Sequence, residues 1–161
     1  RIKTPMVIDF GLAFKINDFI ISSGFKMKDW SKTKFDLKGI DDLSEDFEYF
    51  QSENIFLAND YGLTMQVNIG AEYLFKISDT FGLNLRAGYN ETPSPEKSTM
   101  QEEAIERISF GIGFPLSSNI LINATLVNSN WDKISSDTYA PSEVIESVSA
   151  KKIFINTAYL F

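Results

Sequence analysis

The segment from Gly62 to Lys76 alternates strictly between two kinds of residue, and this alternation constrains the fold more than any other feature of the sequence. One parity is apolar throughout: Leu63, Met65, Val67, Ile69, Ala71, Tyr73 and Phe75. Residues two apart share a face of a strand, whereas a helix with 3.6 residues per turn cannot keep one parity over such a length. The segment is therefore predicted to be a β-strand whose two faces meet different environments.

The same alternation recurs in six further segments, which we predict to be strands at Met6–Ile16, Phe19 to about Trp30, Phe81–Asn90, Ile108–Phe114, Ile120 to about Trp131 and Ile153–Phe161. Their apolar parities carry no Asp, Glu, Lys or Arg away from the strand ends. Most of these strands have about 10 to 13 residues, the length that crosses a bilayer at a tilt, whereas strands of globular domains cluster near 5 to 6. Strand length therefore favours a membrane-spanning sheet.

The connections between the predicted strands alternate in length. They are short at 17–18, 77–80 and 115–119, and long at 31–61, 90–106 and 132–147. A membrane barrel with short periplasmic turns and long external loops has this asymmetry. Within the long loops we predict a short amphipathic helix over Asp42–Gln51 and a helical turn over Glu102–Arg107.

Composition excludes several functional classes. The sequence has no Cys and no His, which removes thiol nucleophiles, Ser-His-Asp triads and His-based metal centres. We therefore expect no enzyme activity, no cofactor and no metal site, and we interpret the acidic segment 31–61 as a solvated loop because it lacks the calcium-loop pattern. With 15 basic and 22 acidic residues and a net charge of −7, no nucleic-acid partner is expected.

These patterns together predict an all-β fold in which residues 1–161 form one incomplete domain. The expected architecture is an antiparallel up-and-down transmembrane β-barrel segment of about seven long strands. Bacterial single-chain barrels have even strand numbers, so closure is expected to need missing N-terminal strands or a second chain. With Phe161 at the periplasmic end, Arg1 would lie outside the cell, which also predicts an upstream segment. A soluble β-sandwich, with the apolar parities in its core, is the alternative.

In the barrel interpretation the apolar parity faces lipid and the other parity faces the lumen. Ten residues are candidates for the lumen face: Asp9, Lys15, Lys26, Lys28, Asn68, Glu72, Asn84, Arg86, Arg107 and Asn123. Glu72 and Arg86 lie on strands joined by a short turn, so we expect them to form an ion pair in the lumen.

The last strand ends on an aromatic residue, which is unusual because the last residues of a soluble domain normally fray into water. One parity of this strand consists of Ile153, Ile155, Thr157, Tyr159 and Phe161. It resembles the C-terminal targeting strand of bacterial outer-membrane barrels. We therefore expect the outer-membrane insertion machinery as a partner and the bacterial outer membrane as the location.

Four blocks of sequence carry a more specific resemblance: TPMVIDFGLAFK at Thr4–Lys15, KDW at Lys28–Trp30, LRAGYNETPSP at Leu85–Pro95 and RISFGIGF at Arg107–Phe114. They are similar to the C-terminal half of FadL-type outer-membrane transporters. That resemblance implies a fourteen-stranded barrel with an N-terminal hatch, of which this chain is strands 8 to 14. No transport residue can be assigned to this chain from the resemblance, because the hatch and the early strands would lie upstream.

The resemblance implies passive uptake of hydrophobic small molecules, such as long-chain fatty acids, with the lipid bilayer and a hydrophobic ligand as partners. A first alternative is a barrel of the same family that serves as an envelope assembly or secretion partner. A second alternative is a soluble β-sandwich that acts as a binding module.

Deleting Phe161, or changing Phe161→Asp, is expected to block insertion into the outer membrane while export to the periplasm continues. The reason is that the insertion machinery reads the apolar parity of the terminal strand. Fractionation of cells with immunoblotting measures both pools. Equal membrane levels of variant and parent would contradict the targeting-strand interpretation.

Overall fold

A computed structural model describes residues 1–78, 81–97, 104–117, 119–136 and 143–159. The strands in these ranges are β1 (Ile2–Lys3), β2 (Val7–Ile16), β3 (Phe19–Asp29), β4 (Lys34–Phe35), β5 (Leu63–Lys76), β6 (Gly82–Thr92), β7 (Ile105–Ser117), β8 (Ile120–Ser136) and β9 (Glu143–Tyr159). A 3₁₀ turn covers Trp30–Lys32 and one helix, α1, covers Glu45–Asp60.

Seven strands form a single antiparallel sheet in the order β2-β3-β5-β6-β7-β8-β9. Each strand pairs with its neighbour along the sheet, so the topology is a meander, and β2 and β9 lie at its two edges. The separate ribbon of β1 and β4 belongs to the long connection after β3. The prediction of seven antiparallel strands is therefore confirmed, including the two-residue turn at Asn17, which has a positive φ of 55°.

The last three strands are longer than the hydropathy pattern predicts. β8 and β9 have 17 residues each, so most of the predicted loop 132–147 is strand, and its centre, 137–142, lies outside the described residues. β7 begins at Ile105, so the predicted helical turn is wrong at Ile105–Arg107. Polar segments join the sheet because the ladder uses backbone groups, which every residue except proline supplies in full.

Proline at position 115 does not end β7, contrary to the predicted turn at 115–119. Pro115 still lies opposite Leu121, and the register shifts between Pro115 and Ser117. A bulge accommodates proline because one residue there is left out of the regular ladder. The turn is therefore shorter than predicted, because β7 continues to Ser117, whereas β8 begins at Ile120 as predicted.

Helix α1 is longer than predicted and begins later. Its N-cap is Ser44, whose Oγ accepts a hydrogen bond from the backbone N–H of Phe47 at 3.2 Å. Leu43 precedes this cap and is 95% exposed, so it takes no part in an amphipathic face. The helix is held on the ribbon by Asn54, which donates to the carbonyl of Phe35 (3.0 Å) and accepts from its N–H (2.6 Å).

Within the described ranges, no second layer packs on either face of the sheet. No hydrophobic side chain in the described ranges is buried, whereas the polar residues Asn123 and Ser129 are. No helix in the described ranges combines the length and the hydropathy that a bilayer-crossing helix needs. The apolar parity of the strands thus lies open on one face of a single layer.

Candidate functional site

Strand register joins the seven apolar parities into one continuous surface, the apolar face. One row of paired residues crosses the whole sheet on this face: Ile16, Phe19, Tyr73, Leu85, Ile112, Ala124 and Ile155. The parity of the terminal strand, Ile153, Ile155, Thr157 and Tyr159, belongs to the same face, while Phe161 lies outside the described residues. The apolar face therefore runs from one edge of the sheet to the other.

The upper boundary of the apolar face, at the end with the long loops, crosses the strands obliquely. In β3 the last apolar residue before this end is Met27, which pairs with Met65 of β5. In β9 the apolar run ends at Ile153, whose row runs back through β8, β7 and β6 to Ala71 of β5. Toward the long-loop end, the next residue of this parity is Asp29 in β3 and Lys151 in β9, and beyond Lys151 only Ile145 is apolar. The boundary thus shifts along β5 from Met65 to Ala71 across the sheet.

This shift gives the angle between the strands and the apolar band. It amounts to about six residues over five strand-to-strand steps, or about 20 Å along the strands for about 24 Å across them. The corresponding angle is about 40°, within the range of strand tilts in closed barrels. The boundary at the short-turn end shifts in the same direction. In β3 it lies at Phe19, which pairs with Tyr73, and in β9 it lies at Tyr159, four residues beyond the row that contains Tyr73 and Ile155. The apolar surface is a tilted band.

The opposite surface, the polar face, carries all ten residues predicted for the lumen, since each has the other parity. The structure brings most of them into contacts. Asp9 and Lys26 form an ion pair at 3.2 Å, and the ammonium group of Lys28 lies 3.3 Å from the ring centroid of Trp30. The side chains of Lys15 and Asn84 make no polar contact with another described residue. That this face lines a lumen stays a prediction.

The first polar network centres on Arg86. Its Nε donates to Oε2 of Glu72 in the predicted ion pair between β5 and β6. Its Nη1 donates to Oδ1 of Asn123 on β8 at 2.6 Å, so the guanidinium reaches across β7. Asn123 in turn donates from Nδ2 to Oδ1 of Asn156 on β9 at 2.9 Å. One chain of contacts thus links four strands.

Gly113 of β7 makes this reach possible. A Cβ at position 113 would lie 2.5 Å from Oδ1 of Asn123 and 3.2 Å from Nη1 of Arg86. Both distances are shorter than ordinary van der Waals contact, so any side chain there would separate the two groups. Glycine at this position keeps the surface of β7 low enough for Arg86 to pass over it.

A second polar network lies nearer the long loops and centres on Asn90 of β6. Its Nδ2 donates to Oδ1 of Asn68 at 2.6 Å, and its Oδ1 accepts from Nη1 of Arg107 at 2.8 Å. The same Nη1 also donates to Oγ1 of Thr92 at 2.8 Å. Among the described residues, the guanidinium of Arg107 is therefore bound by an amide and a hydroxyl oxygen and forms no ion pair with a carboxylate.

The candidates from the sequence omit Asn90, Thr92, Gly113 and Asn156, although all four contribute to the networks. Asn90, Gly113 and Asn156 have the parity that was assigned to the lumen in their strands. Parity and residue type together could therefore have identified the two asparagines as candidates. The role of Gly113 has no local signal, because it depends on side chains of two neighbouring strands.

The networks are hydrogen-bonded within themselves, so they order side chains and create a polar surface. No group of three acidic residues in the described part of the chain is arranged to hold a metal ion. Comparison with protein-family models, with curated proteins and with solved structures finds no match to the chain. The geometry of the two faces therefore carries the functional interpretation.

Changing Gly113→Ala is expected to lower the free energy of unfolding by about 1 to 3 kcal/mol, since it breaks the hydrogen bond from Arg86 to Asn123. Gly11→Ala is the matched control. Gly11 lies on the same polar face, but a Cβ there would meet only the carbonyl of Ser23, at 3.7 Å. Urea unfolding of the reconstituted protein measures both, and equal stability of the two variants would contradict the role of Gly113.

Proposed function

We propose that the sheet is part of the wall of a bacterial outer-membrane β-barrel that takes up hydrophobic small molecules passively. In this barrel the apolar face meets lipid and the polar face lines the lumen. Long-chain fatty acids are the cargo that the family resemblance implies. The proposal rests first on the apolar face itself.

The observation that carries the proposal is a large apolar surface over which no described segment forms a protein layer. Apolar side chains on this face are widely exposed, with Phe14 at 62%, Phe110 at 61% and Ile155 at 74%. Soluble monomers rarely expose contiguous apolar patches larger than a few hundred Å². Lipid satisfies such a surface, and the tilt of about 40° between band and strands suits a closed barrel in a bilayer.

Closure of the barrel needs further strands of a defined number. Since β2 and β9 are the first and the seventh strand of an antiparallel sheet, they run in the same direction. Pairing these edges directly, or with a second copy in the same orientation, would place parallel strands side by side. An odd number of added strands closes the barrel with antiparallel pairs throughout, which agrees with the even strand numbers of bacterial barrels.

The lumen side of the proposed barrel offers mixed chemistry. Apolar residues share the polar face with the charged networks, among them Ile20, Leu74, Val127 and Phe154. Ile20 lies opposite both Lys15 and Glu72, and Phe154 lies opposite Thr125. Such alternation of apolar and charged groups supports passage of an amphipathic molecule, whose chain and head group need different contacts.

Adjacent residues of β6 test which face meets lipid. Leu85→Lys is expected to cost about 2 to 4 kcal/mol of folding free energy in bilayers, as a basic residue near the midplane does. The control is Asn84→Lys, which places the same charge at the preceding position of β6 on the polar face, where the native side chain makes no polar contact with another described residue. Its cost should be clearly smaller, since a position that faces the lumen tolerates a charged side chain. Unfolding in lipid vesicles measures both, and equal losses would contradict the assignment of the faces.

Single cysteines test whether the polar face lines a conduit, because the native chain has none. Ser109→Cys places a thiol on the polar face, and Ala87→Cys places one on the apolar face. A bulky water-soluble thiol reagent is expected to modify the protein with Ser109→Cys and to slow cellular uptake of a radiolabelled long-chain fatty acid. It should leave the protein with Ala87→Cys unlabelled and uptake unchanged.

Two results would contradict the transport proposal. Equal labelling of both cysteines would show that the faces do not separate lipid from water. Complete labelling of Ser109→Cys without any change in uptake would show a water-filled lumen that does not carry the fatty acid.

A further inference from the structure

A basic cavity of about 540 Å³ lies outside the sheet, between the ribbon of β1 and β4 and helix α1. Its walls include three lysines: Lys3 from β1, Lys32 from the 3₁₀ turn and Lys34 from β4. In a chain with a net charge of −7, such a concentration of ammonium groups is unusual.

The backbone fixes these lysines close together. Lys3 and Lys34 are directly opposite each other in the ribbon, a placement of like charges that destabilises a strand pair. Lys3 forms an ion pair with Asp36 at 2.9 Å. The hydrogen bond from Lys3, together with one from the backbone N–H of Lys38, lowers the pKa of Asp36. In the described part of the chain, no carboxylate lies within ion-pair distance of Lys32 or Lys34.

A buried hydroxyl group in the same wall also lacks a partner. Oγ1 of Thr33 is shielded from solvent and makes no hydrogen bond to any described residue. A buried polar group without a hydrogen bond costs free energy, so such groups call for an explanation. Two further polar side chains of the cavity are engaged, Asn54 with Phe35 and Ser31 with Asp29. The cavity thus offers the ammonium groups of Lys32 and Lys34 to a ligand, with the unpartnered hydroxyl of Thr33 shielded in its wall.

We propose that this cavity binds a phosphate monoester. Three lysines and Asp36 leave about two positive charges, which match the charge of about −1.5 to −2 on such a group near neutral pH. Its three terminal oxygens can accept from Lys32 and Lys34, and from Thr33 once its side chain rotates toward the cavity, whereas a carboxylate has one charge and two oxygens. The volume also leaves room for a body attached to the phosphate, such as a sugar or glycerol.

The position of the cavity brings two sources of this group within reach. Thr4 and Pro5 line it and lead directly into β2, whose apolar residues begin at the boundary of the apolar face. In the proposed barrel this is the depth of lipid head groups, so a phosphorylated lipid or a soluble phosphate ester can supply the ligand. The chemistry of recognition is the same for both.

The test titrates the purified full chain by calorimetry with glycerol 3-phosphate. A second titration uses phosphatidylcholine vesicles with or without phosphatidic acid, a lipid phosphate monoester. Lys34→Gln and Thr33→Val are each expected to weaken binding about tenfold, as loss of a hydrogen bond to a charged group does. Lys38→Gln is the control, since it removes the same charge outside the cavity and leaves the backbone contact of Lys38 intact.

The two titrations identify the source. Variant-sensitive binding of phosphatidic acid assigns the cavity to a lipid head group, and variant-sensitive binding of glycerol 3-phosphate alone assigns it to a soluble ester. Binding should strengthen as the pH rises through about 6, where the phosphate takes its second charge.

The proposal is overturned if neither probe binds, if the two variants bind as the parent does, or if acetate binds equally well. The soluble titration does not depend on insertion into a membrane. A negative result there would leave the barrel proposal standing, and failure of insertion would leave the cavity proposal standing.

Discussion

The antiparallel ladder from β2 to β9 keeps the apolar residues of every strand on the same face of the sheet, and the rest of this structure depends on that constraint. A slip of one residue between any two strands would move the apolar parity of one onto the polar face of the next. The register shift in the described residues falls between Pro115 and Ser117, at the end of β7. Because it lies at the rim, the rows across the middle of the sheet keep a single parity.

The two faces of the sheet have different chemistry, and this difference bears on how the sheet is stabilised. In the described ranges the sheet buries no hydrophobic side chain, so these residues form no core that would stabilise it. The tilted outline of the apolar face and the network of Glu72, Arg86 and Asn123 on the other side suit the wall of a barrel. The long connection after β3 adds a separate element, since its ribbon and helix form a cavity outside the sheet.

Glycine has a specific part in the polar face. Arg86 reaches Asn123 only because Gly113 has no side chain, and the contact ties β6 to β8, which share no backbone pairing. Asn156 extends the same chain of hydrogen bonds to the edge strand β9. Networks of this kind stiffen a sheet across its strands, because each member fixes the rotamer of the next.

The sequence by itself determined the seven strands of the sheet, their two faces and the pairing of Glu72 with Arg86. These features depend on alternation between neighbouring residues and on a short turn, both of which are visible in the sequence. It placed Asn123 on the polar face but could not join it to Arg86, since those residues are 37 positions apart and meet across a third strand. Tertiary structure alone decided the full lengths of β8 and β9, whose polar ends are held by backbone hydrogen bonds that hydropathy does not report. It also decided the basic cavity, because the pairing of β1 with β4 brings Lys3 to Lys34.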